Sequence, residues 1–173
     1  FCQSIGVYGA ESYIQGFSGY GLECLIVYYK SFEKMVNELI KVKIGERLVI
    51  DIEKKYKNKS EALFELNESK LISPIILIDP TYKERNVLAC LSRKTFEKFQ
   101  DKSRDFMKKP SKTIFEKSSY DPNSATKRSK DKEFIEIIVH TSRQPGDIAG
   151  TKMKKFYNFM EKVSTATYPS FKL

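Results

Sequence analysis

Few side chains in this 173-residue sequence have the type and spacing for chemistry, and each has a plainer competing role. Asp51 and Glu53 form a D-x-E on a short β-branched run. Alternate residues of a strand share a face, so the two carboxylates could share a metal ion. The competing arrangement buries Ile50 and Ile52 and turns both carboxylates to water. With no third carboxylate identifiable nearby, that arrangement is the expected one. His140 is the sole histidine, which removes most His-based metal sites and weakens any Ser-His-Asp arrangement. It sits at a strand end without an obvious partner and is expected to be structural or on the surface.

GFSGYG (Gly16–Gly21) precedes an apolar helical pattern. It is not a nucleophile elbow, because Tyr20 stands where G-x-S-x-G needs its second glycine. Nor is it a P-loop, since no Gly-Lys-Ser/Thr follows. A loop-to-helix packing role and a phosphate-facing nest both stay open. Arg85 stands between the end of an apolar strand, Asp79-Pro80, and the mouth of the next helical region. A guanidinium there either pairs locally with Asp79 or Glu84, or grips a phosphate or base edge through its paired donors.

Elements must hold these groups. Five glycines and three tyrosines make Gly6–Gly21 loop-rich. Ser18 then caps a helix to about Tyr29, with Leu22, Leu25, Ile26 and Tyr29 at helical spacing. Ser31 caps a second helix, carrying Phe32, Met35, Val36, Leu39 and Ile40, and Gly45 follows its end. Leu48–Glu53 and Ile75–Asp79 read as strands, with a Lys-rich loop or hairpin over Lys54–Lys70 between them. A short helical stretch over Val87–Leu91 precedes a longer helix from the cap Ser92 to Lys108. That helix places Phe96, Phe99, Phe106 and Met107 on one face, and Pro110 stops it. Further on, Glu133–Val139 reads as a strand and Thr151 as the cap of a helix turning Met153, Phe156, Tyr157, Met160 and Val163 inward. Tyr168–Phe171 reads as the start of another strand.

Composition sets the outer limits. The chain is 40% hydrophobic, enough for a core and too much for wholesale disorder. Its longest apolar run, Leu22–Tyr29, is broken by Glu23 and falls far short of the ~18–20 residues that cross a bilayer. FCQSIGVYGA has neither the basic region nor the apolar core of a secretory leader. Cys2, Cys24 and Cys90 are scattered, which points to reduced thiols and a cytoplasmic setting instead of a disulfide framework or zinc site. The net charge is +9, and Lys102–Lys132 alone holds ten basic and four acidic residues. That excess suits a polyanion such as nucleic acid, though solubility alone can also explain it. The absence of an initiator Met and the ending just past a helix suggest an internal piece of a longer protein.

Three segments together resemble one family. IGVYGAE (Ile5–Glu11), GFSGYGLECLIVYYKSF (Gly16–Phe32) and DPTYKERNVLACLS (Asp79–Ser92) are similar to the class I, archaeal-type CCA-adding enzymes, which are tRNA nucleotidyltransferases. Order and approximate spacing agree from Phe1 to about Pro110, and VID (Val49–Asp51) falls where the family has a strand. A strand, an R-x-P turn and a helix over Ile135–Val163 resemble the opening of its next domain.

The resemblance implies an α+β fold in three parts. Residues 1–112 would form a central nucleotide-recognition domain, 113–132 a basic linker, and 133–173 the start of an RRM-like RNA-binding domain. It implies that Tyr8 contacts the triphosphate of incoming CTP or ATP. Arg85 would help select cytosine and adenine over guanine and uracil, together with the tRNA backbone. The parent would add CCA to the tRNA 3′ end without a nucleic-acid template, using Mg²⁺ held by a head domain upstream of Phe1. The lysine that partners the tyrosine would lie upstream as well. Two positions depart from the family: Gln15 replaces a basic residue and Gly21 a leucine. Because a mid-helix glycine costs roughly 0.5–1 kcal/mol against Ala, the first helix is expected to start later. The resemblance is compatible with a homodimer and involves no membrane. A poly(A)-polymerase-type nucleotidyltransferase and a non-enzymatic RNA-binding module are the alternatives. On this reading the chain by itself is inactive.

Overall fold

Two short apolar runs of β-branched character organise the first part of the chain. In a computed structural model that describes residues 1–116, 138–140 and 146–167, they form β1 (Leu48–Asp51) and β2 (Ile75–Ile78). The strands are parallel, with Leu48 opposite Ile75 and Asp51 opposite Ile78. Both faces of the pair are covered, so β2 is buried at every position, as an uninterrupted apolar run requires.

Period-two alternation sends the two sets of side chains into different cores. Ile50, Ile75 and Leu77 join the larger one, with Leu25 of α1 (Gly19–Tyr29), Met35, Val36 and Leu39 of α2 (Phe32–Leu39), and Phe96 and Phe99 of α4 (Arg93–Lys108). Ile76 and Ile78 face a smaller cluster with Tyr56, Ala62 and Leu66 around α3 (Lys59–Glu65). Within the larger core Phe17 lies 4.9 Å from Phe99, ring centre to ring centre. The buried Gln100 donates to the carbonyls of Leu39 (2.8 Å) and Val42 (2.9 Å), which ties α4 to the end of α2. These bonds satisfy carbonyls that the helix end leaves without internal partners.

The three expected serine caps form. Ser18, Ser31 and Ser92 each accept from a backbone N–H three residues on, at 3.1, 3.2 and 3.2 Å. The Lys54–Lys70 stretch differs from the expected loop or hairpin. It holds α3, capped by Asn58, and a 3₁₀ turn at Glu68–Leu71. Parallel pairing is the reason, because the chain must cross back to the start of β2 and a hairpin cannot do that. Val87–Leu91 is a turn and not a helical stretch.

The chain divides into two units, Phe1–Lys117 and Ser118–Leu173. The first extends past 112 through a 3₁₀ turn, Lys112–Phe115. Phe115 packs 6.0 Å from Phe1 and 5.6 Å from Phe106, and the Ser4 hydroxyl donates to the Ile114 carbonyl. In the second unit α5 spans Gly146–Thr167, so Thr151 lies inside the helix instead of capping it. Asp147 in its first turn suits the positive end of the helix dipole. The expected inward set is not buried: Phe156, Tyr157 and Val163 are exposed, and Met153 and Met160 are half-buried. The expected strand over 133–139, except for its last two residues, and the strand over 168–171 lie outside the described residues, as does the linker beyond 116.

Candidate nucleotide-binding site

The glycines of GFSGYG mark close approaches. Backbone bonds join this segment to IGVYGAE, with Phe17 N–H donating to Val7 (2.8 Å), Gly9 N–H to Phe17 (2.9 Å) and Gly16 N–H to Gly9 (2.7 Å). A Cβ on Gly16 would stand 2.1 Å from the Val7 carbonyl oxygen, so only glycine fits. Phe17 is fully buried and anchors the pair of segments to the core. A Cβ on Gly19 would stand 3.1 Å from the Tyr8 hydroxyl oxygen. Tyr8 therefore lies against the first turn of α1, with 40% of its surface open to solvent.

Gly21 corrects the expectation of a later helix start. It is buried inside α1, and a Cβ there would meet Leu88 Cδ2 at 2.5 Å and Ser18 Oγ at 2.8 Å. Loss of helix propensity is accepted in exchange for close contact with the turn after Arg85. The motif thus packs a loop onto a helix and also sets Tyr8 at the helix mouth.

DPTYKERNV folds back along β2. Asp79 N–H donates to the Arg85 carbonyl (3.0 Å) and Val87 N–H to the Leu77 carbonyl (2.9 Å). Asn86 is buried at the base of this return. Its Oδ1 accepts from Leu77 and Leu88 N–H, each at 3.0 Å, and its Nδ2 donates to the carbonyls of Lys70 (2.8 Å) and Ile75 (3.3 Å).

Asp79 organises the end of β2. Its side chain is fully buried, and Oδ1 accepts from the Thr81 N–H (2.8 Å), the Thr81 hydroxyl (2.8 Å) and the Tyr20 hydroxyl (3.1 Å). Its Oδ2 lies 3.4 Å from Nη1 of Arg85, an ion pair without hydrogen-bond alignment. Burial is the largest influence on this carboxyl and pushes it up. The bonds from Thr81 and Tyr20 and the Arg85 charge outweigh burial and hold it below the usual carboxylate range. Desolvation, then the bond to Asp79, push the Tyr20 phenol up, so it stays protonated and donates.

The Arg85 guanidinium lies 5.9 Å from the centre of the Tyr20 ring, over its face. Its side chain is nevertheless 57% exposed. The two alternatives left open by the sequence, local pairing and ligand contact, are therefore compatible. One side of Arg85 is fixed by Asp79 and Tyr20, and the other is open. Tyr20 supplies the common frame, since Tyr8 rests on its neighbour Gly19 at the same helix turn.

Other candidates separate from this region. β1 ends at Asp51 and turns at Ile52, so Asp51 and Glu53 do not form a strand pair. Glu53 is exposed as expected, but Asp51 is not turned fully to water. Its Oδ2 accepts from Tyr56 N–H at 2.9 Å, and its Oδ1 is buried without a partner. No three His, Cys, Asp or Glu side chains among the described residues could together hold a metal ion. Among the described residues, therefore, no such cluster fits Mg²⁺. His140 is exposed in the second unit. All three cysteines are free, and burial pushes the Cys2 thiol up to about 11, where it is unreactive at neutral pH.

Sequence reasoning singled out Arg85 and Asp79 but missed Tyr20 and Thr81 as the groups that brace them. The Asp-x-Thr spacing at 79–81 was the available signal, because an aspartate readily accepts from the backbone and hydroxyl two residues on.

Residues 1–116 match a family described as tRNA nucleotidyltransferase, second domain. The chain belongs to this family. Archaeal relatives named CCA-adding enzyme extend the similarity beyond the matched domain. The protein of Nanoarchaeum equitans is 35% identical over 172 residues, which is 97% of this chain and 41% of the relative. That of Methanosarcina mazei is 41% identical over 143 residues, 83% of this chain and 27% of the relative. The Saccharolobus solfataricus protein is 32% identical over 162 residues, covering 94% and 35%. The chain thus spans less than half the length of these relatives. Family membership gives IGVYGAE, GFSGYG and DPTYKERNV a common setting, all three meeting at the first turn of α1. No helix among the described residues is long and apolar enough to cross a membrane.

Proposed function

We propose that this chain is the nucleotide-recognition part of a cytoplasmic CCA-adding enzyme. The longer protein extends the tRNA 3′ end with C, C and A, drawing on CTP and ATP without a nucleic-acid template. The observation that carries this reading is that Tyr8 lies against Gly19 and Arg85 against Tyr20, neighbouring residues of α1, within a family of tRNA nucleotidyltransferases. Tyr8 donates its phenolic hydrogen to the triphosphate, which CTP and ATP share. Arg85 offers its open donors to the base edge and the nearby phosphate. Asp79 and Tyr20 hold that guanidinium in one orientation, so its donors are preset and less entropy is lost on binding.

Mg²⁺, which would promote in-line attack by the RNA 3′ hydroxyl, belongs to carboxylates elsewhere in the longer protein. Residues 1–116 serve nucleotide recognition, the basic segment after them up to 132 links, and 133–173 open an RRM-like RNA-binding domain. The exposed aromatic side chains of α5 support that last assignment, since they suit a sheet packed against them. The net charge of +9 supports a tRNA partner.

The test supplies the longer protein with Mg²⁺, CTP, ATP and tRNA lacking CCA. Addition of CCA and nothing further is the expected result. Runs of A from ATP with CTP ignored would place the protein with poly(A) polymerases. Salt-sensitive RNA binding with no nucleotide incorporation would leave only a binding module.

A further inference from the structure

A second concave site lies at the end of β1, a pocket of about 220 Å³ whose lining includes Tyr28, Asp51, Lys54, Tyr56 and Lys59. Its floor carries an unmet need. Asp51 Oδ1 is buried and accepts no hydrogen bond, although Oδ2 is satisfied by Tyr56 N–H at 2.9 Å. Buried acceptors are seldom left bare without a reason such as an absent ligand. Two positive charges stand in the same lining and also lack partners. Neither Lys54 nor Lys59 makes a salt bridge or side-chain hydrogen bond among the described residues, with Asp51 or with anything else. Lys54 is moreover held at φ 52°, a left-handed backbone that a lysine rarely adopts and that tends to recur at functional sites.

The walls are aromatic. Tyr56 is fixed by its hydroxyl, which donates to the Lys83 carbonyl at 2.8 Å. Tyr28 keeps 44% of its surface exposed, leaving ring surface for another planar group. An occupant must therefore donate to a carboxylate, carry negative charge and offer a flat face. A ribonucleotide has all three, in its 2′-hydroxyl, its phosphate and its base. The volume is below the roughly 300–1,000 Å³ of drug-sized ligand sites, which limits the occupant to one such unit.

We propose that this pocket holds one unpaired ribonucleotide of the RNA substrate, with its 2′-hydroxyl on Asp51, its phosphate on Lys54 and Lys59, and its base on Tyr28. The choice of RNA rests on the function proposed above. Stacking on aromatic side chains with basic contacts to the backbone is how single-stranded nucleotides are generally held, and the 2′-hydroxyl tells RNA from DNA. The site is separate from Arg85, which stands beyond the end of the neighbouring strand.

The test is a titration of the isotope-labelled full chain with 5′-CMP, 5′-dCMP and inorganic phosphate, following the amides of Val49 and Ala62 by NMR. CMP should give saturable shifts there, and dCMP should bind about tenfold more weakly for want of one charge-assisted bond. Phosphate alone should leave these amides unmoved at the same concentrations. Lys59→Ala should weaken CMP and Lys59→Arg should restore it. Lys59 is exposed at the start of α3, and undisturbed core amides will confirm that its variants fold. No saturable shift with CMP, equal binding of dCMP, or equal shifts with phosphate would each overturn the proposal. CCA addition by the longer protein would stand or fall independently of those outcomes.

Discussion

β1 and β2 lie side by side and each leads into an aspartate near its carboxyl end, yet the two ends are built differently. Asp79 is wholly buried, and three hydrogen bonds and an arginine meet its carboxylate. Asp51 has one hydrogen bond and one bare oxygen. Past β2 the chain returns at once along the strand and is pinned by Asn86. Past β1 it departs through an exposed turn and a short helix. A carboxylate with one oxygen bonded three times and the other facing a guanidinium is a support for another group, here Arg85. A half-engaged carboxylate is an opening. The difference comes from topology, because the crossover leaving β1 must pass outward over α3 while the return after β2 packs straight onto α1.

The largest effect should come from the packing behind the β2 end. Gly16→Ala sets a methyl 2.1 Å from the Val7 carbonyl oxygen and 2.7 Å from its carbon, both backbone atoms that cannot turn aside. A loss of about 3 kcal/mol is expected in urea unfolding. If the variant matched the wild type, the close approach of the two glycine-rich segments would not exist as described.

Asparagine substitutions contrast the two ends directly. Asn86→Ala strips partners from the buried N–H groups of Leu77 and Leu88 and should cost about 2–3 kcal/mol. Asn58→Ala, on the β1 side, removes only the cap of α3, whose side chain accepts from Glu61 N–H at 2.9 Å. About 1 kcal/mol is expected there. Equal losses in parallel unfolding curves would erase the claimed difference between the ends.

The smallest effect is a pH dependence. The folded Asp79 carboxyl lies below its ordinary value, so the unfolded chain binds a proton first as pH falls. Its contribution to stability is fully present above the unfolded pKa, about 3.9, and is lost as pH falls from there through the lower folded value. The urea midpoint of the wild type should therefore decline over that window, and that of Asp79→Asn should decline less. Parallel declines would mean that Asp79 is not held as its contacts indicate.

Local signals in the sequence carried most of the first unit. Ser18, Ser31 and Ser92 announced their helices because a serine hydroxyl before an apolar periodic run is the usual answer to unsatisfied N–H groups. Arg85 was recognisable as poised for either an ion pair or a ligand, and it does the first while remaining free for the second. What stayed hidden was non-local. Nothing in LVID or IILI specifies parallel pairing, and without it α3 is invisible within a lysine-rich stretch. Gly21 was misread for a similar reason, since its helix propensity is local but its contact with Leu88 is made across 67 positions of sequence. The face of α5 was expected inward from periodicity alone, and periodicity names a face without supplying what covers it.

The most direct test of the central claim measures kcat/KM for CTP, ATP, UTP and GTP in the longer protein, on tRNA ending in C and in CC, with Tyr8→Phe and Arg85→Ala. Tyr8→Phe should weaken CTP and ATP alike, by about ten- to a hundredfold, the worth of one hydrogen bond to a charged group. Arg85→Ala should lower both as well and, in addition, relax the exclusion of UTP and GTP. If Arg85→Ala leaves both the rates and the selectivity unchanged, Arg85 serves only its ion pair with Asp79, and the base-reading site lies elsewhere.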